Sequence, residues 1–158
     1  STLSSSSAAS DVYKRQMIAI GCDHGALELK EQLIEHLKKR GVECKDYGTY
    51  TKDSCDYPVY AKKVAEAILS GECEEGILLC GTGIGMSMAA NKIKGIRAAL
   101  CSDCFSAQAT KEHNNANVLC MGARVIGPEL AFRIADTFLD SKFSNDERHI
   151  RRISMLED

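Results

Sequence analysis

From Met17 onward the chain alternates short apolar, β-rich runs with longer stretches whose apolar residues recur at helical spacing, and this rhythm restricts its fold most. Residues 17–21 read as a buried strand. Residues 26–40 read as a helix, with Ala26, Leu29, Leu33 and Leu37 in register and Gly41 as its stop. A second strand is expected over 42–46, and Pro58 opens a helix over 58–70 that Gly71 closes. Strand three is 76–80, strand four 95–100, and strand five 117–120, with helices over 103–114, 128–139 and 146–155. Strands joined by helices of this length need crossover connections. They predict an α/β fold: a three-layer αβα sandwich, Rossmann-like, around a five-stranded parallel sheet.

Residues 1–16 differ from the rest, with a Ser/Ala tract over 4–10 that lacks the apolar stretch of a secretory signal and the Arg-rich pattern of a transit peptide. They are expected to be a non-native, disordered leader ahead of a single domain over 17–158. A formal net charge of −2 argues against a nucleic-acid partner, and no apolar run is long enough for a membrane span. Eight cysteines without disulfide-scaffold spacing point to a reducing, cytoplasmic compartment. Cys101 and Cys104 form the one close pair, read as unpaired thiols ahead of a zinc or redox site.

In parallel sheets ligands bind beyond the carboxyl ends of the strands, so the residues following each strand matter most. The third strand delivers Cys80 to Gly81-Thr82-Gly83-Ile84-Gly85-Met86-Ser87, after which Met88-Ala89-Ala90-Asn91 reads as helix. A thiol at such a corner meets unpaired backbone N–H groups and the positive end of a helix, which favour an anionic sulfur by ~0.3–1 kcal/mol. The spacing G-x-G-x-G matches neither the dinucleotide fingerprint nor a nucleotide P-loop. Its N–H groups suit a phosphate or a developing enediolate oxygen, and Thr82 either caps the helix or meets the substrate. Asp23 and His24 end strand one as an acceptor and a titratable donor, although Asp23 also suits a cap. His113 and Asn114, read as lying near the ligand edge, suit acid–base work or simply end a helix. Arg148 and Arg152, four apart, share a helix face on which two guanidinium groups can clamp a phosphate, whereas His149 and Arg151 fall on other, solvated faces.

Taken together these residues resemble the type B ribose-5-phosphate isomerase family, whose relatives include galactose- and allose-6-phosphate isomerases. The likeness is carried by Gly21-Cys22-Asp23-His24-Gly25, Asp56-Tyr57-Pro58, Cys80 to Gly85, Ala89-Ala90-Asn91-Lys92, Gly95-Ile96-Arg97, His113 to Val118, Gly122-Ala123-Arg124 and Arg148-His149. The resemblance implies interconversion of ribose 5-phosphate and ribulose 5-phosphate through a cis-enediol, without metal or organic cofactor. It implies Cys80 as the base between C1 and C2, His113 as the group that opens the furanose ring, and Thr82 in proton traffic. N–H groups from Gly81 through Gly83 and Ile84 to Gly85 would hold the enediolate. Asp23 would contact the sugar, His24, Arg148 and Arg152 the phosphate, and Asn114 and Arg124 would complete the pocket. Some members carry instead a glutamate where this chain has Met86, which leaves Cys80 as the base. A homodimer or homotetramer with sites shared between subunits is also implied. The alternatives are a six-carbon phosphosugar isomerase and a noncatalytic phosphate- or nucleotide-binding module.

Overall fold

The computed structural model describes residues 17–158, so the expected leader over 1–16 lies outside the described residues. Five parallel strands, β1 Met17–Cys22, β2 Glu43–Asp46, β3 Glu75–Cys80, β4 Ala98–Leu100 and β5 Val118–Gly122, form one sheet in the order β2-β1-β3-β5-β4. Six helices surround it: α1 Leu27–Lys39, α2 Tyr57–Leu69, α3 Ile84–Asn91, α4 Cys104–Asn114, α5 Pro128–Asp140 and α6 Glu147–Leu156. The expected αβα sandwich is the observed one.

Because successive strand residues face opposite sides, the sheet builds two cores. Ile18, Ile20, Ile77, Leu79, Leu119 and Met121 pack with Leu33 and Leu37 of α1, Ala107 of α4, and Ile134 and Phe138 of α5. Ala19, Leu78, Cys80, Val118 and Cys120 pack on the other side with Ala61, Val64 and Ala65 of α2 and with Met86 and Ala90 of α3. That alternation sends the Cys80 side chain toward α3. Register brings the strand ends level, Cys22 beside Leu79 and Cys80 beside Gly122.

Two expected boundaries need correction. The helix after the glycine turn begins at Ile84 rather than Met88: only Gly83 takes a left-handed conformation (φ +80°), and Gly85 lies within the helix. There a Cβ would stand 2.7 Å from the Tyr57 ring, so Gly85 makes room for a neighbour and not for a turn. Strand four is confined to Ala98–Leu100 because the Asn117 side chain takes the backbone groups ahead of it, donating to the Gly95 carbonyl (2.9 Å) and accepting from the Arg97 N–H (2.8 Å).

Candidate active site

The carboxyl edge of the sheet gathers the ends of β1, β3 and β5. Cys80 is buried, and its Sγ accepts the Gly83 N–H at 3.1 Å. Gly83 permits this because its left-handed backbone turns the amide back toward the strand end, where a Cβ would meet Met121 carbonyl carbon at 2.9 Å. The Thr82 hydroxyl accepts the Ile84 N–H at 3.2 Å, but the helix N-cap is Gly83, so Thr82 satisfies a first-turn amide from one residue ahead of the cap position. The expected row of free amides is corrected accordingly: Gly83 serves the sulfur and Ile84 serves Thr82. The N–H groups of Gly81, Thr82 and Gly85 have no acceptor among the described residues and remain for an anion.

Two further elements close on this turn. After β5 the chain is tied back to β3, with Ala123 N–H on the Cys80 carbonyl (2.9 Å) and Arg124 N–H on that of Gly81 (3.0 Å). The exposed Arg124 side chain lies across Gly81, its Cδ 3.5 Å and Nε 3.7 Å from where a Cβ would stand, and it has no ion-pair partner among the described residues. From β1, Asp23 Oδ1 accepts the Gly25 N–H at 2.9 Å and caps a short 3-10 turn over His24–Ala26, where a Cβ on Gly25 would stand 3.8 Å from the Gly81 nitrogen. His24 Nδ1 accepts the Cys55 N–H at 3.2 Å, which leaves Nε2 as the donor of the neutral ring. Asp23, His24, the Cys80–Gly85 turn and Arg124 therefore share one cleft edge.

His113, Asn114, Arg148 and Arg152 do not join them within one chain, and the expectation that His113 lies near the ligand edge is corrected. Helix α4 leads into β5, so its last residues sit at the amino edge of the sheet, roughly 13 Å of strand away from the level of Cys80. There His113 stacks on His149 with ring centroids 4.6 Å apart. Arg148 and Arg152 are exposed on α6, Arg148 only 3.9 Å from Asp146, and the end of α6 is held to the same edge by an Arg97–Glu157 ion pair of 2.7 Å. His149 is also corrected: it is 6% exposed, not on a solvated face.

The remaining thiols lack this setting. Burial pushes Cys22 up to about 12 and Cys44 and Cys101 up to about 11, and it raises Cys73 and Cys120 as well, so these sulfurs stay protonated near neutrality. Cys101 and Cys104 are both free. Two contributors had no role assigned from sequence: Cys55, which orients His24, and Tyr57, whose ring covers Gly85. Only Tyr57 carried a signal, as part of Asp56-Tyr57-Pro58 at a helix start.

A parallel αβα sheet that presents a thiol, unpaired amides, an imidazole and a free guanidinium at its carboxyl edge defines an enzyme of small anionic substrates. The chain belongs to the ribose/galactose isomerase family, whose model matches residues 18–156, and is a phosphosugar isomerase. It is 48% identical over 139 residues to ribose-5-phosphate isomerase B of Escherichia coli (strain K12), covering 88% of this chain and 93% of that one. It is 46% identical over 127 residues to galactose-6-phosphate isomerase subunit LacB of Clostridium acetobutylicum, covering 80% and 73%. The crystal structure of a ribose 5-phosphate isomerase from Thermotoga maritima superimposes with a TM-score of 0.87 at 54% identity, covering 89% and 97%.

Proposed function

We propose that the chain interconverts ribose 5-phosphate and ribulose 5-phosphate with Cys80 as the proton-transfer base. The observation that carries this is the Gly83 N–H on Cys80 Sγ, which stabilises charge on the sulfur, with three unassigned amides and an unpaired Arg124 beside it. The thiolate takes the proton from C2 of the open-chain aldose, and the electron pair released moves onto O1. The free amides of Gly81, Thr82 and Gly85 stabilise that oxygen, commonly the largest contribution to lowering such a barrier. The Cys80 thiol then returns the proton to C1 while the Thr82 hydroxyl passes one from O2 to O1. His24 Nε2 donates to the phosphate, and Asp23 accepts from a sugar hydroxyl.

His113 opens the furanose ring, Asn114 assists it, and Arg148 and Arg152 clamp the phosphate, all from a second copy. Two half-sites at opposite sheet edges become complete sites when a two-fold related chain exchanges them. The exposed apolar residues beside edge strand β4, Leu100 and Phe105, the latter 80% exposed, support such a partner. Mixing Cys80→Ala chains with His113→Ala chains tests the arrangement. Random exchange should restore about a quarter of wild-type activity, since half the dimers are mixed and each has one intact site. No recovery after verified exchange would place both groups in one chain or remove one from the mechanism. Comparing kcat/KM for ribose 5-phosphate, allose 6-phosphate and galactose 6-phosphate ranks the substrates, with ribose 5-phosphate expected to lead.

A further inference from the structure

A polar cluster outside the Cys80 cleft lies where α4 ends. His149, buried at 6% exposure, stacks on the exposed His113 at 4.6 Å with the ring planes tilted by 37°. Its Nδ1 lies 2.8 Å from Ser144 Oγ, and that oxygen also accepts the Asp146 N–H at 3.1 Å. The Ser144 N–H in turn donates to the carbonyl of Glu112, the residue before His113, at 3.0 Å. Ser144 thus brackets both members of the imidazole pair, holding one through its ring nitrogen and the other through the adjacent peptide.

We propose that His149, oriented by Ser144, is a positioning residue that fixes the ring of His113. The proposal rests on the reading that His113 opens the sugar ring. With the Asp146 amide on one Ser144 lone pair, the hydroxyl still offers a proton and a second lone pair to His149 Nδ1, so the contact fixes the His149 ring in either tautomer. The charged groups around His149 are His113 from α4, with Arg148, Arg152 and Asp146 from its own helix and cap. Burial foremost, then His113 and Arg148, hold its pKa below the usual histidine range, with Asp146 opposing. A neutral His149 lets His113 gain a proton without a second cation 4.6 Å away. His113 is exposed on the last turn of its helix, and an untethered imidazole there would sample several rotamers; a displacement near 1 Å can cost about 100-fold in rate.

Ring opening separates this role from general damage, because ribose 5-phosphate must be opened whereas ribulose 5-phosphate is already open-chain. In His149→Phe and Ser144→Ala, turnover of ribose 5-phosphate should fall about tenfold or more. Solvent exchange of the C1 proton of ribulose 5-phosphate should stay within about twofold of wild type. Ser144→Thr, which keeps the hydroxyl, should hold turnover of ribose 5-phosphate within about twofold of wild type. Equal losses in both rates, no loss in either, or a Ser144→Thr loss as large as that of Ser144→Ala each overturn the proposal. His113→Ala identifies which idea fails: if it spares ribose 5-phosphate turnover, the ring-opening assignment is wrong and the positioning role falls with it. If it abolishes that turnover while His149→Phe and Ser144→Ala retain theirs, the assignment stands and the positioning role falls.

Discussion

Replacing Gly83 with alanine strains the turn that holds Cys80, and Gly41 supplies its own control. Both glycines have φ of +80°, but a Cβ at Gly41 has nothing within 4 Å, whereas one at Gly83 would stand 2.6 Å from Leu100 Cδ1 and 2.9 Å from the Met121 carbonyl carbon. A left-handed conformation costs an L side chain about 1–2 kcal/mol, which is all that Gly41→Ala should lose. Leu100 can swing aside but the Met121 backbone cannot, which adds about 1–3 kcal/mol of overpacking and brings Gly83→Ala to roughly 2–5 kcal/mol. With a urea slope of about 2 kcal/mol/M, the unfolding midpoint should drop by about 0.5–1 M for Gly41→Ala and about 1–2.5 M for Gly83→Ala. Gly83→Ala should also slow C1 proton exchange, because relieving the clash tilts the amide away from the sulfur. Equal midpoints for the two variants would refute the close approach on which the site geometry depends.

Asp46→Asn should lower stability by about 3–5 kcal/mol, because it strips the carboxylate partner from Lys30, an ammonium side chain only 1% exposed and 2.7 Å from Asp46; urea unfolding measures it, and a loss under about 1 kcal/mol would contradict this. Arg148→Ala should raise KM for the phosphosugar about tenfold or more with little change in kcat, since the clamp binds ground and transition states alike; an unchanged KM would move the phosphate site elsewhere. The depressed pKa of His149 makes its contribution to stability fully present above about pH 6.5 and lost as pH falls, because the unfolded chain protonates first. Melting temperature should therefore decline more steeply from pH 7.5 to 5.5 in wild type than in His149→Phe. Parallel slopes would show that His149 does not titrate this way.

Much of the fold was legible because its signals are local. Amphipathic spacing and Gly or Pro punctuation located α1, α2, α4, α5 and α6 to within a residue or two, and the apolar runs located the strands. The errors came where a distant group decides. Gly85 reads as turn but is helical because the Tyr57 ring needs its bare Cα, and Gly95 to Arg97 read as strand but are diverted by Asn117. In the site, Cys80, its glycine turn and the Asp23-His24 pair were visible as strand-end chemistry. The amino-edge position of His113 follows from topology, since a helix between parallel strands must return to the edge where the next one starts. His149 was hidden by the arginines around it, although its spacing of four from half-buried Ile153 marks an inward face.

The Cys80 sulfur is the group proposed to carry hydrogen between C1 and C2, and exchange of the C1 proton of ribulose 5-phosphate in deuterated water reads that step alone. Cys80→Ala, shown to be folded and to retain phosphosugar binding, should lose exchange by about 10²–10⁴-fold. Exchange at the wild-type rate in that variant would show that another group moves the proton.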